Sequence, residues 1–160
     1  MRYILKDDPP IRPQTAAKGP HHLDLSGWRP VADGEFGLRA RLLVRPLGDL
    51  IIVRCFSTWM QYDDPETDDL GMSLKGLIKL GYVRILLNLQ GVELASGSLL
   101  GCLASVHREV VKAGGFLRLF GIEPMVRDAL RICRLDSAIQ VYESEEDALS
   151  DCGRQATRVQ

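Results

Sequence analysis

Val83-Arg-Ile-Leu-Leu-Asn-Leu89 runs, through Gln90, into Gly91-Val-Glu-Leu-Ala-Ser-Gly-Ser-Leu-Leu-Gly-Cys-Leu103. The first stretch is apolar enough to read as a buried strand. The second begins with small and hydroxyl residues and then takes up helical spacing. Leu99, Leu103, Val106 and Val110 fall on one stripe, with Leu100 and Val111 alongside, while Arg108, Glu109 and Lys112 point away. This predicts a helix over about 99–113, stopped by Gly114-Gly115 and followed by a second strand, Phe116-Leu-Arg-Leu-Phe-Gly-Ile122. A serine-bearing turn at the mouth of a helix can present a hydroxyl, or a phosphate on it, to a partner. The unpaired N–H groups and partial positive charge of the helix start stabilise an anion there.

Toward the N-terminus, Leu38-Arg-Ala-Arg-Leu-Leu-Val-Arg45 alternates in part, Pro46-Leu-Gly-Asp49 supplies a turn, and Leu50-Ile-Ile-Val-Arg-Cys55 is a continuous apolar run, which together predict a hairpin. A polar connection from Ser57 to Asp64 precedes a punctuated helix. Asp64 is its N-cap, Pro65 its first residue, Lys75 and Lys79 lie near its end and Gly81 just beyond. Leu70, Leu74, Leu77 and Ile78 form its apolar face. A helix joining two strands by short connections implies parallel pairing. Toward the C-terminus, Pro124 begins a helix with Val126, Ala129, Leu130 and Cys133 on one face. Ala138–Tyr142 is a last short strand, and Ser144-Glu-Glu-Asp147 starts a final helix through Leu149. The order is β-β-α-β-α-β-α-β-α, a small sheet with helices of the α/β (α+β) class.

The chain of 160 residues suits one domain, expected at 38–150, with a Pro-rich N-terminal arm at 1–37 and a polar, frayed tail at 151–160. Pro9, Pro10, Pro13, Pro20 and Pro30 recur in the arm without hydrophobic periodicity, so it is expected to be mobile or loosely docked, with Leu23, Leu25 and Trp28 able to pin part of it. A net charge of −1 argues against nucleic acid as the main partner, and Arg127, Arg131 and Arg134 are interleaved with acids as on a solvated helix face. No Cys-x-x-Cys pair joins Cys55, Cys102, Cys133 and Cys152, and His21-His22 has no further ligands close by, so no metal or cofactor is expected. Cys102 and Cys133 read as small core residues. Met1–Asp8 contains no signal-peptide core, and no segment approaches the ~20 apolar residues of a membrane span, so a reducing cytoplasm is the expected setting.

Leu87-Asn-Leu-Gln-Gly-Val92, the serine turn, Leu100-Gly-Cys-Leu103, Ala113-Gly-Gly-Phe-Leu-Arg-Leu119, Leu135-Asp136 and Glu145-Glu-Asp-Ala-Leu149, taken in order, resemble the STAS domain over roughly residues 38–149. That family includes the bacterial anti-sigma factor antagonists. The resemblance implies a small mixed sheet of about five strands with helices mainly on one face. It also implies a non-enzymatic switch protein that binds an anti-sigma factor or serine kinase-like protein, or another STAS protein, and lets go when a hydroxyl at the helix start is phosphorylated. The family turn reads Asp-Ser-Ser/Thr/Ala-Gly-Leu-Gly. Anchoring on Leu100-Gly101 puts Ser96 at the Asp position, Gly97 and Ser98 at the two hydroxyl positions, and Leu99 at the glycine. The phosphoacceptor candidates are therefore Ser96 and Ser98, each of which also suits plain helix capping. The implied contact surface comprises Leu94, Ser96, Gly97, Ser98, Leu99 and Leu100, with Trp59 and Tyr62 from the connection after Phe56, since aromatics are enriched at binding surfaces.

Two other functions fit parts of the pattern. A STAS subunit or scaffold of a larger assembly, stressosome-like or transporter-associated, needs no phosphorylation. A serine hydrolase needs a base within hydrogen-bond reach of Ser96 or Ser98, and the only downstream histidine, His107, lies on the same expected helix.

Overall fold

The computed structural model describes residues 29–30, 42–55 and 65–158. Strands β1 (Arg29–Pro30), β2 (Leu42–Leu47), β3 (Leu50–Cys55), β4 (Arg84–Asn88), β5 (Phe116–Phe120) and β6 (Gln140–Tyr142) lie side by side in sequence order. Pairings β1–β2 and β2–β3 are antiparallel, and β3 through β6 are parallel. The parallel pairs are joined by α1 (Pro65–Lys79), α2 (Gly97–Lys112) and α3 (Pro124–Ile132), and α4 (Glu145–Arg158) closes the chain. Strands added one after another in a single direction, through right-handed crossovers, put all their helices on one face. The last helix crosses to no further strand, escapes that rule, and packs on the other face.

The main core lies under α1, α2 and α3. Leu70, Leu74 and Leu77 of α1, the α2 stripe Leu99, Leu103, Val106 and Val110, and Val126 and Leu130 of α3 are buried against Ile51, Val53, Ile85, Leu87, Leu117 and Leu119. The expected faces of α1 and α2 are the buried ones, and that of α3 holds at Val126 and Leu130. A smaller cluster on the opposite face joins Leu50, Ile52, Leu86 and Phe120 to Ala148 and Cys152 of α4.

Several boundaries differ from the sequence reading. Arg29–Pro30, inside the expected arm, is a strand opposite Leu43 and Val44. Pro46, expected in the turn, is within β2 opposite Ile51. No described residue pairs with its outer edge, so its missing N–H is tolerated. The turn is the pair Gly48-Asp49, and Gly48 at φ 64 supplies the backbone conformation a tight hairpin needs. Cys133 is exposed, not core: α3 ends at Ile132, so the helical period no longer directs the next side chain inward. A 3₁₀ turn at Leu135–Ser137 leads into β6, which is shorter than expected. The final helix does not stop at Leu149 before a frayed tail but continues to Arg158, with Cys152 buried on it. His21-His22, Trp59, Met60, Tyr62 and Asp64, together with Leu23, Leu25 and Trp28, lie outside the described residues.

Polar contacts explain why α4 continues. The Arg118 guanidinium of β5 is 3% exposed and donates to Cys152 Sγ at 3.1 Å, with Asp151 Oδ2 at 3.2 Å. The Tyr142 hydroxyl donates to Asp151 Oδ2 at 2.6 Å. Burial, then the bond to the Asp151 carboxylate, push the Tyr142 phenol up to about 12. A raised folded pKa favours the neutral phenol, so this contribution to stability is complete below the ordinary value near 10 and disappears as pH rises toward 12. In a spectrophotometric alkaline titration Tyr142→Phe is expected to remove a phenol that ionises well above the ordinary value, toward 12. A variant curve identical to that of the unmodified chain would contradict this assignment.

Candidate functional site

The carboxyl end of β4 builds the serine turn. Asn88 is 5% exposed, and its Oδ1 accepts the Gln90 N–H at 2.9 Å, bending the chain out of the strand. The Leu89 N–H donates to Phe120 O at 3.2 Å, tying the exit to β5, and the Val92 N–H donates back to Leu89 O at 3.0 Å. Gly121 after β5 has φ 66, and a Cβ there would stand 2.8 Å from Asn88 Oδ1. Asn88 and Gly121 are therefore positioning residues for the turn. The sequence reading missed them; a lone Asn at a strand end and a lone Gly after the next strand become one feature only when the strands pair.

From Val92, which is buried, the chain rises to Leu94, 43% exposed, and enters α2. Ser96 is the N-cap in extended conformation (φ −71°, ψ 160°), and its Oγ accepts the Leu99 N–H at 3.1 Å. The Leu100 N–H donates to Ser96 O at 3.1 Å. The helix thus starts two residues earlier than expected, with Gly97 and Ser98 in its first turn. Both are exposed, whereas Ser96 is half-buried. No acidic residue occupies the first turn of α2, so its positive end is not offset by a carboxylate there.

Leu99 must be removed from the contact surface. It is fully buried in the main core, because position 99 begins the inward stripe continued by Leu103 and Val106. Leu100, one residue on, is half-buried and packs at the margin of that core. Leu94, Gly97 and Ser98 are exposed in one segment, with Ser96 capping between them. The connection carrying Trp59 and Tyr62 follows the carboxyl end of β3, which pairs with β4, but those side chains fall outside the described residues. His107 lies nine residues along the same continuous helix from Ser98, an axial rise of ~13 Å, beyond the reach of a general base. Among the described residues no group of three or more His, Cys, Asp or Glu side chains is arranged to hold a metal ion, and no helix is long and apolar enough to cross a membrane.

A mixed sheet, antiparallel from β1 to β3 and parallel from β3 to β6, with three crossover helices on one face and a small hydroxyl-bearing turn at the second of them, defines a scaffold that presents a loop. The STAS domain model matches residues 51–148, and the chain belongs to the STAS domain family. A Thermotoga neapolitana protein described as an anti-sigma factor antagonist homologue is 32% identical over 71 residues. That match takes in 44% of this chain and 63% of the relative, less than two thirds of the relative's length. Among solved structures, an anti-sigma factor antagonist from Mycobacterium paratuberculosis is 19% identical with a TM-score of 0.60, over 69% of this chain and 91% of that one. A Bacillus cell fate determinant in its phosphorylated form is 17% identical with a TM-score of 0.55, over 69% and 98%. At these identities the two structures establish a shared fold.

Proposed function

We propose that this chain is a partner-switching module of bacterial signal transduction, similar to the anti-sigma factor antagonists, with no turnover chemistry of its own. It docks an anti-sigma factor or serine kinase-like protein, or another STAS protein, in the cytoplasm. The contact surface is the turn Leu94–Ser98 with Leu100, extended by Trp59 and Tyr62. The observation that carries this reading is the exposed Ser98 in the first turn of α2, beside the exposed Leu94, at a helix end with no carboxylate in that turn. The Ser96 hydroxyl holds the helix start, so Ser98 is the phosphoacceptor of the pair. A phosphate there adds about −1.5 to −2 charges. The helix end accommodates it within the free domain, while an acidic or apolar partner surface does not, and the partner is released.

Pairwise calorimetry against each anti-sigma-type serine kinase of the same genome, followed by intact-mass measurement with ATP, tests the proposal. One kinase is expected to bind and to add a single phosphate. Ser98→Ala abolishes the mass gain and retains binding, and Ser98→Asp weakens binding about tenfold or more, at least ~1.4 kcal/mol. Ser96→Ala lowers stability by ~1 kcal/mol through loss of the cap and leaves phosphorylation in place. Absence of binding to every such kinase would count against the whole reading; phosphate on another residue would remove the role of Ser98. Gly97, which offers no hydroxyl, favours a second reading: a STAS subunit of a larger assembly, stressosome-like or transporter-associated, that docks without phosphorylation.

A further inference from the structure

The helices on the main face of the sheet are not packed evenly. α1 and α2 lie against each other, and a Cβ at Gly71 of α1 would stand 3.1 Å from Cys102 Sγ of α2. At about 100° per residue, the flank of α2 opposite Cys102 carries Leu100, Ala104, His107 and Val111. α3 lies on that side, over the same core, but makes no comparable contact with α2. The Arg127 guanidinium of α3 reaches outward to Glu143, just past β6, at 2.9 Å. The opposite flank of α3, turned toward α2, carries Met125, Ala129 and Ile132. Leu100 borders the serine turn, and the remaining six residues line a groove between α2 and α3.

Both walls of this groove leave apolar surface in water. Ile132 is 81% exposed, Met125 61% and Val111 51%. Val126 and Leu130 already fix α3 to the core, so Met125 and Ile132 are not needed to hold it there. These two stand seven residues apart, a rise of ~10 Å, and the small side chains of Ala104 and Ala129 leave room for another helix to approach.

The two ends of the groove differ in charge. Glu123 occupies the N-cap of α3 without making a capping bond. At the far end stand Lys112, the last residue of α2, and Arg134, just past α3, both exposed. Glu123, Lys112 and Arg134 have no ion-pair partner among the described residues. Asp128, midway along α3, is 3.7 Å from Arg131, and Asp136 follows in the 3₁₀ turn, so the far end stays net basic.

We infer that this groove is the contact between two copies of the chain. A two-fold axis crossing α3 near Asp128 and Ala129 sets the two α3 helices antiparallel. Met125 of one copy then meets Ile132 and Val111 of the other, and Glu123 of one meets Arg134 of the other. A two-fold contact requires a surface that matches itself when reversed. Apolar side chains at both ends, small ones between, and opposite charges at the two ends meet that requirement. Antiparallel helices also bring opposite dipole ends together. The two Asp128 carboxylates approach near the axis, each beside the Arg131 of its own chain. The contact uses neither Ser96 nor Ser98, so the inference is independent of the function proposed for the serine turn.

Sedimentation velocity on the full chain, over about a hundredfold range of concentration, is expected to show a shift from one chain mass toward two. Ile132→Asp alters an exposed side chain, keeps the urea midpoint, and is expected to weaken dimerisation about tenfold or more. Glu123→Arg and Arg134→Glu each weaken it about three- to tenfold, and the double variant recovers to within about threefold of the unmodified chain. Within one chain these two residues stand about 16 Å apart along α3, so recovery reports contact between copies. A chain that stays monomeric throughout, leaving the groove to another protein, would overturn the proposal. So would a dimer indifferent to Ile132→Asp, or a double variant that fails to recover.

Discussion

Gly115→Ala is expected to destabilise the domain by about 3 kcal/mol or more, although it adds one methyl group. A Cβ at this position would lie 1.7 Å from Val83 O, 2.4 Å from Val83 C and 2.7 Å from Val83 Cβ. The Phe116 N–H donates to that same Val83 oxygen at 2.8 Å, and the Gly115 N–H donates to Val110 O at 2.9 Å. Backbone is therefore held against backbone where α2, β4 and β5 meet, and no side chain can turn aside to make room. Insertion of a methylene into a packed core costs ~1–3 kcal/mol when neighbouring side chains can shift. Here β5 itself must move away from β4, so the upper end or more is expected. Urea unfolding checks it, with Gly153→Ala as the contrast. Gly153 lies inside α4, where an added methyl group would meet nothing within 4 Å, and alanine there gains ~0.5–1 kcal/mol of helix stability. Equal midpoints for Gly115→Ala and the unmodified chain would refute the account of this junction.

The difference between these glycines marks how far sequence carries. Periodicity placed the inward stripes of α1 and α2, because a helix repeating apolar residues at three and four positions has only one face to bury. Short connections around α1 implied parallel pairing of β3 with β4, because a crossover helix returns the chain to the same end of the sheet. Contacts between residues remote in sequence were not legible. Gly114-Gly115 read as a helix stop; that the second glycine is needed for space against Val83 depends on strand pairing. Phe116–Ile122 read as a second strand, and only the meeting of Arg118 with Asp151, 33 positions later, shows why the expected tail is helical as part of α4. At the turn, Ser96 and Ser98 were both legible as caps or acceptors, and only the Ser96 Oγ bond to the Leu99 N–H separates them. Pairing Asn88 with Gly121 required the register of β4 on β5, and the contact surface implied by the resemblance kept Leu99 although its own helical stripe points it inward.

Leu99→Ala and Leu94→Ala are expected to fail in different ways, and the contrast divides scaffold from contact surface. Leu99 is completely buried among the main-core residues. Truncation to alanine removes the transfer free energy of the lost atoms and leaves a cavity that α2 and the sheet cannot fully close, at a cost of ~2–5 kcal/mol. Since domains of this kind are stable by only ~5–15 kcal/mol, the midpoint of urea unfolding shifts substantially. Any loss of partner binding by Leu99→Ala then follows the unfolded fraction and is restored by cooling toward the temperature of maximum stability or by excess partner. Leu94 is 43% exposed on the turn before Ser96. Its truncation changes stability by about 0.5 kcal/mol or less, as for ordinary surface positions. On the proposed docking surface, however, it removes an apolar contact between Val92 and the α2 cap, and binding is expected to weaken by ~1–2 kcal/mol, about five- to thirtyfold. The two measurements are made on the same preparations: denaturation midpoint for the scaffold, titration calorimetry for the surface. Unchanged affinity in Leu94→Ala with native stability would move the docking surface away from this turn. A stable Leu99→Ala would contradict the burial that took Leu99 out of it.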